Sequence, residues 1–422
     1  MKNKIYNIIS GIAICGVLLG TSLVQTGCRK EMFMPEPEGT AVPYKDSISN
    51  DLQTYLKSSP YKLFYAAWQR SNMQKELEAM GSKASVTLLV VDDAAMKAAG
   101  LDETEINKRS PESLLEVVKY HMLRDKMEPM SVQPGQLSYH RTTLLSRTDL
   151  VERINRAGSA VSFTVPYTYR HYVAMAKDSQ LIIDGKLCGN QKPVVVKNGI
   201  VWPVNRFLQK PEQHVLDILQ GDPRFSLLVA INQLNNDAWF EVAMGSFERW
   251  SGLFLTAGEW DNNVIFNSYF APTDDAFHQA GIFTVEQLQE INSRFTPEFV
   301  FDPFYGMTGL LPTDSVLDYH NWGRLLAPKT STGESPVFKP TVFYSNDLDE
   351  TLLSNYTISV SKPDLKPAPM PLAFIREGNT IKVKVRGAKT PAATVTTADI
   401  NTLEGPLHIV DRLFIPDDFK VK

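Results

Sequence analysis

One pattern occurs twice in this chain, roughly two hundred residues apart, and that repetition restricts its possible folds more than any other feature. The run Thr87–Met96 (TLLVVDDAAM) leads into Gly100-Leu101, and Ser268–Phe277 (SYFAPTDDAF) leads into Gly281-Ile282. A second echo is Val117-Val118-Lys119-Tyr120-His121 against Val316-Leu317-Asp318-Tyr319-His320. A third closes each half, Asn198–Leu208 (NGIVWPVNRFL) against Glu404–Phe414 (EGPLHIVDRLF). Three landmarks in one order point to a tandem duplication, with one copy over residues 48–212 and the other over 213–418.

A hydrophobic fraction of 43% is enough for two packed cores. The net charge of −4 comes from nearly balanced acids and bases with no long basic run, so nucleic acid is not the expected partner. Residues 1–27 read as a secretory leader: Lys2 and Lys4, an apolar stretch from Ile8 to Val24, then Thr26-Gly27 before Cys28. The apolar stretch is shorter than the roughly 20 residues that span a bilayer, which favours cleavage. Ser22–Cys28 resembles a bacterial lipobox, with Gln25 where a Leu is usual, as in the looser lipoboxes of Bacteroidota. That resemblance implies lipid on Cys28 and an outer-membrane anchor; the alternative is an ordinary signal peptide with a chance cysteine. With Cys15 lost and Cys28 lipidated, Cys188 alone remains and no intrachain disulfide can form. Residues 28–47, with Pro35, Pro37, Gly39 and Pro43, read as a tether. Arg29-Lys30-Glu31 resembles the charged signals that send some lipoproteins to the outer face.

Each half opens with helical spacing and ends with period-2 strands, which predicts an α+β domain. In the first, Leu52 to Met80 predicts two short helices broken at Ser58-Ser59-Pro60, followed by a strand over Val86–Val91. Ser110-Pro111 opens a helix carrying Leu114, Val117, Val118 and His121 on one face. Strands follow at Val161–Val165 and Leu181–Ile183, with hairpin turns predicted at Asp184-Gly185 and Asn198-Gly199. The second half adds an insertion between Trp239 and Asn263, and another of about eighteen residues between Ala276 and His320. Thr284 and Gln287 have capping-box spacing for a helix over Val285–Arg294. Tyr356–Val360 and Thr380–Val385 alternate as strands, and the proline-rich Lys362–Pro371 predicts a loop or irregular edge.

Tyr269–Phe277 resembles the first motif of the fasciclin (FAS1) domain, matching at Ala271, Pro272, Thr273, Asp274, Ala276 and Phe277. The first half keeps Asp93, Ala95 and Met96 but has lost the proline turn. Tyr120-His121 and Tyr319-His320 stand where that family places its Tyr-His motif, and Asp399-Ile400 through Pro416 resembles its closing segment. The resemblance implies two tandem FAS1-like domains, each a β wedge of about seven strands with helices along one side. It implies adhesion or extracellular binding, not an enzyme.

Candidate binding residues are Tyr319, His320, Trp250, Phe254 and Trp260. For His121 and His320 a buried, hydrogen-bonded role competes with an adhesion epitope. For Asp274 and Asp275, helix capping is simpler than a carboxylate pair. Trp250, Phe254 and Trp260 either form a partner or glycan surface or close an enlarged core. No zinc, nucleophile-elbow, paired-cysteine or phosphate-loop motif occurs, so no cofactor, metal or catalytic set is expected. A carboxylate-only hydrolase remains the least favoured alternative. The expected chain is thus a lipid-anchored envelope protein that binds an extracellular or envelope protein, with a glycan-binding accessory of an outer-membrane uptake system as the second reading. The first half reads as the spacer and the second as the partner-binding half.

Overall fold

The computed structural model describes residues 50–81, 84–155, 162–242, 262–295, 298–300, 306–308, 311–322, 325–328, 339–340, 342–354, 356–359 and 367–421. The leader, Cys28 and the tether lie outside the described residues, as do Trp250, Phe254 and Trp260. Ile48–Lys422 forms one compact unit, so contacts between its two halves can be read directly.

The first half begins with helices α1 (Leu52–Ser58), α2 (Lys62–Arg70) and α3 (Met73–Ala79). The sequence predicts two helices here. The structure has a further break where Asn72 adopts φ 55°, a left-handed conformation that Asn tolerates without the glycine or proline that would have marked it. Strand β1 (Val86–Val91) follows, then helices α4 (Asp93–Ala98), α5 (Glu103–Lys108) and α6 (Pro111–Tyr120). Ser110 caps α6 by accepting the Ser113 amide, and Leu114 and Val118 are buried on its inner face. The remaining strands are β2 (Met122–Leu123), β3 (Tyr139–Asn155), β4 (Ser162–Met175), β5 (Leu181–Ile183), β6 (Lys186–Leu187), β7 (Val194–Val196) and β8 (Gly199–Val204). They form one sheet in the order β6-β5-β4-β3-β2-β1-β8-β7. It is an antiparallel meander except that β8 returns beside β1 in parallel.

Asp184 and Gly185, at φ 50° and 75°, make the type I′ turn that sequence predicts between β5 and β6. The second hairpin exists but is displaced. Val196 pairs with Gly199, so Lys197-Asn198 form its turn and Gly199 already belongs to the strand.

The second half contains α7 (Val215–Gln220), α8 (Ser226–Val242), β9 (Ser268–Pro272), α9 (Asp274–Gln279) and α10 (Val285–Asn292). Thr284 and Gln287 form the expected capping box on α10. Next come β10 (Glu298–Val300), β11 (Gly306–Thr308), α11 (Pro312–Leu317), β12 (Asn321–Trp322), β13 (Leu325–Pro328), β14 (Lys339–Pro340) and α12 (Glu350–Leu353). The closing strands are β15 (Tyr356–Ser359), β16 (Pro367–Pro369), β17 (Leu372–Glu377), β18 (Thr380–Val385), β19 (Ala393–Asn401) and β20 (Pro406–Val410). One sheet runs β12-β9-β20-β19-β18-β17 and another β14-β13-β15-β16. Proline-rich β16 sits on the outer edge of its sheet, where missing amide donors cost no ladder bonds.

Strand β9 is buried on both faces, which is why it reads as a continuous apolar run. Its alternation still sorts partners: Tyr269 and Ala271 pack with Leu407, Ile409 and the helices, while Phe270 packs with Trp322, Phe374 and Phe414.

Candidate functional site

The landmarks converge on one hydrogen-bonded frame that each half builds separately. β1 pairs in parallel with β8, Leu88 opposite Val201 and Leu89 opposite Trp202. β9 pairs with β20 in the corresponding register, Tyr269 opposite Leu407 and Phe270 opposite His408. On the other side, Leu88 faces Met122 and Tyr269 faces Asn321. β8 begins at Gly199 and β20 directly follows Gly405, and each glycine lies against backbone at the start of the central strand of its half. A Cβ on Gly199 would lie 2.1 Å from the Val86 carbonyl oxygen, and one on Gly405 would lie 2.3 Å from that of Asn267.

The residue before each glycine caps the first helix of its half. Asn198 Oδ1 accepts the Leu52 amide at 2.9 Å, and Glu404 Oε2 accepts the Val215 amide at 3.1 Å. Lys197 N–H donates to Asn50 O at 2.9 Å, and Leu403 N–H to Gln213 O at 3.1 Å.

Asp93 and Asp274 do cap helices, but not their own. Asp93 Oδ1 accepts the Leu63 amide at 3.0 Å in the first turn of α2. Asp274 accepts the Leu227 amide at 2.9 Å and the Ser226 hydroxyl at 2.5 Å at the start of α8. The capping expected of Asp274 thus falls on a helix that packs across the turn, which sequence distance hides. Thr273, the N-cap of α9, makes no side-chain cap bond, and Asp275 points into solvent with its side chain 92% exposed. Ala271 and Pro272 are buried within β9.

His121 and His320 occupy equivalent places and are inaccessible to a partner. The Leu89 amide donates to His121 O at 2.9 Å and the Phe270 amide to His320 O at 2.8 Å, joining the central strand to the short one beside it. His121 Nδ1 donates to Val117 O at 2.8 Å while Nε2 accepts the Leu208 amide at 3.2 Å. His320 Nδ1 donates to Phe270 O at 2.9 Å while Nε2 accepts the Phe414 amide at 2.9 Å. Those partners fix both rings as the neutral Nδ1–H tautomer. Burial drives the pKa of each down to about 3. His320 is therefore withdrawn from the candidate binding set, since it is 3% exposed with both nitrogens committed. Tyr319 is half-buried against the sheet core, and Tyr120 is fully packed, edge-on to Tyr169 at 5.6 Å.

The position of Trp202 and His408 shows how the frame tolerates substitution. Trp202 Nε1 donates to Met127 O, and the Met127 amide donates to Thr87 Oγ1. His408 Nε2 donates to Phe343 O, and the Phe343 amide donates to Ser268 Oγ. Two different rings perform one bond, and two hydroxyls receive its return.

Another histidine sits on the face of the first half that meets the second. His171 Nδ1 lies 2.6 Å from Asp184 Oδ2 and Nε2 lies 2.9 Å from Tyr120 O. The ring thus bridges the turn between β5 and β6 and the last residue of α6. The ring is fully buried, so its contacts are structural and it is not an accessible acid or base. Around it the halves join: Tyr167 OH donates to Leu403 O at 3.0 Å, Tyr172 packs on Tyr344 at 5.4 Å, and Arg170 covers Phe266 at 3.7 Å.

Among the described residues, no group of three or more His, Cys, Asp or Glu side chains is placed to hold a metal ion. A cavity of about 20 Å³ lined by Leu219, Leu228, Tyr269, Phe270, Ala271 and His320 has room for one water at most. Exposed aromatic surface occurs where sequence did not point. Tyr139 and His140, at the start of β3, stack at 5.5 Å and 4° in the open, with Arg141 over the Tyr139 ring at 4.8 Å and Met130, 85% exposed, nearby in sequence. The consecutive Tyr139-His140-Arg141 is the signal in the sequence, and it lies outside the repeated landmarks.

A family model of the fasciclin domain matches residues 59–210. Among solved structures, a FAS1 domain pair from the insect cell adhesion molecule fasciclin I is similar over 85% of this chain and 98% of that chain, with 13% sequence identity and a TM-score of 0.30. No curated protein matches the sequence. The fasciclin match falls on the first half although the second carries the fuller first motif. The first half keeps short intervals between landmarks, whereas the second spreads the same frame over insertions.

Proposed function

We propose that this chain is a lipid-anchored cell-envelope protein that works by non-covalent adhesion through two fasciclin-type domains. The observation that carries the reading is the fasciclin domain at 59–210 together with a second frame of corresponding strand pairs and caps between Gln213 and Phe414. Supporting it, His121, His320, Asp93 and Asp274 are consumed in holding backbone together. The leader over residues 1–27, with Cys28 directly after it, supports attachment to the outer membrane through lipid. Replacing Cys28 with Ser and fractionating cells tests the anchor; the variant is expected in the soluble fraction, and unchanged membrane retention would overturn it.

The second reading is glycan capture beside an outer-membrane transporter. It is favoured by the stacked Tyr139–His140 pair, since flat aromatic faces suit sugar rings, and by Trp250, Phe254 and Trp260 in the insertion. Calorimetry against a polysaccharide panel separates the two: binding abolished by Tyr139→Ala or by a Trp250/Trp260 double alanine variant supports glycan capture. The exposed pair also supports a binding role for the first half, beside the spacer role its sequence suggests.

A further inference from the structure

The sheet of the first half ends at β7, and among the described residues no strand pairs with its outer side. This open edge is also where the chain from Cys28 joins the fold. The Lys197 amide, directly after β7, donates to Asn50 O at 2.9 Å, and Asn198 Oδ1 accepts the Leu52 amide at 2.9 Å. Helix α1 then runs beside β7, because Tyr61 OH, just beyond the helix, donates to Gln191 Oε1 at 3.0 Å near the other end of the strand.

The edge carries four exposed lysines, Lys57, Lys62, Lys192 and Lys197, around Val194 and Val195, which are 36% and 41% exposed. None of the four lysines forms an ion pair with a described residue; Lys62 Nζ donates instead to Lys57 O at 3.3 Å. The bordering acids are each turned to a backbone amide, Asp51 to Thr54 at 2.8 Å, Asp92 to Ala95 at 2.7 Å and Asp93 to Leu63 at 3.0 Å. The corresponding strand of the second half, β19 beside β20, has the opposite charge and is already met by the first half: Lys186 Nζ lies 3.4 Å from Ala398 O and 3.8 Å from Asp399 Oδ2.

We propose that the α1–β7 edge is a second membrane contact, in which the four lysines meet the anionic phosphate headgroups of the bilayer that holds the lipid, with Val194 and Val195 against its surface. The inference rests on the lipid-anchor reading of Cys28. Only residues 29–49 separate that lipid from Asn50, so this edge is the part of the folded unit tied closest to the bilayer along the chain. Charge selects the same side: residues 48–212 hold 22 Lys and Arg against 17 Asp and Glu, and residues 213–422 hold 16 against 26, so an anionic surface attracts the first half and repels the second. Lysines at both ends of β7 hinder the addition of another strand, which favours a bilayer over an extended peptide. Each lysine brought to an anionic lipid surface strengthens association about fivefold, and salt screens the attraction.

The test is sedimentation with vesicles of the chain from Cys28 onward, carrying Cys28→Ser so that no lipid contributes. Binding is expected to vesicles of equal parts phosphatidylglycerol and phosphatidylethanolamine and not to vesicles of phosphatidylcholine alone, and it should weaken as salt rises. Lys192→Gln and Lys197→Gln should each weaken it about fivefold, and the two combined with Lys57→Gln and Lys62→Gln by at least about a hundredfold. Lys75→Gln with Lys177→Gln, exposed lysines on α3 and after β4, should change it less than about twofold. No binding to the phosphatidylglycerol vesicles, equal binding to phosphatidylcholine, or an equal loss in the two sets of variants would each overturn the contact. A wild-type chain that ignores the vesicles while the four-lysine variant self-associates would show that the lysines only guard the edge. The anchor reading fails separately, because a high-salt wash strips a chain held by the edge and leaves a lipidated one in place.

Discussion

Gly199 lies so close to Val86 that any side chain at 199 would have to displace the carbonyl oxygen of the strand it pairs with. Gly405 stands in the same relation to Asn267, which makes this close approach the most exacting residue requirement the two halves share. Gly199→Ala and Gly405→Ala are each expected to cost about 3 kcal/mol or more, because backbone and not a flexible side chain blocks the Cβ. Denaturant midpoints measure it. A loss below about 0.5 kcal/mol at both sites would mean that the parallel pairs are not as close as described.

The paired histidines predict an acid-labile frame. His121 and His320 have folded pKa values near 3 against 6.5 for the free side chain, so the unfolded chain binds the extra protons. Their contribution is complete above about pH 6.5 and is lost as pH falls toward 3, by about 1.4 kcal/mol per pH unit for each ring. His320→Gln should remove close to half of this slope. Stability measured by urea titration across pH 7 to 4 checks the sign; an unchanged slope in the variant would contradict the buried neutral ring.

The cross-turn caps predict a difference between adjacent acids. Asp93→Ala and Asp274→Ala should each lose about 1–2 kcal/mol by freeing the first turns of α2 and α8. Asp275→Ala, next door but in solvent, should be close to neutral. Equal effects at 274 and 275 would show that the cap is not the reason for the aspartate.

The exposed pair predicts separable stability and binding. Tyr139→Ala removes a ring that is 47% exposed, so the thermal midpoint should move by no more than a few degrees. Under the envelope reading the same change should weaken binding to isolated envelopes about tenfold, as the loss of an aromatic anchor does. Unaltered binding would remove Tyr139 from the contact surface.

These expectations show which parts of the molecule sequence could announce. The central strands, the capping box at Thr284 and the turn at Asp184-Gly185 were legible because each is specified by neighbouring residues. The α+β character was legible from the change of period within each half. The parallel return of β8 and β20 was not, since pairing across most of a domain leaves no local mark. The same holds for Asp274, whose partner Leu227 is distant in sequence, and for Asp347, whose partner Ser138 lies in the other half. The Tyr-His motif was visible, but that its histidine is built into the frame is seen only in the two hydrogen bonds of the His320 ring.

Adhesion by the folded part of the chain is tested most directly by adding labelled protein from Asn50 onward to isolated cell envelopes of its host and measuring binding at equilibrium. Saturable, reversible binding that unlabelled protein competes away, with the envelope polymers left intact, is the expected result. Absence of a saturable component, or release of small cleavage products from the envelope, would contradict it.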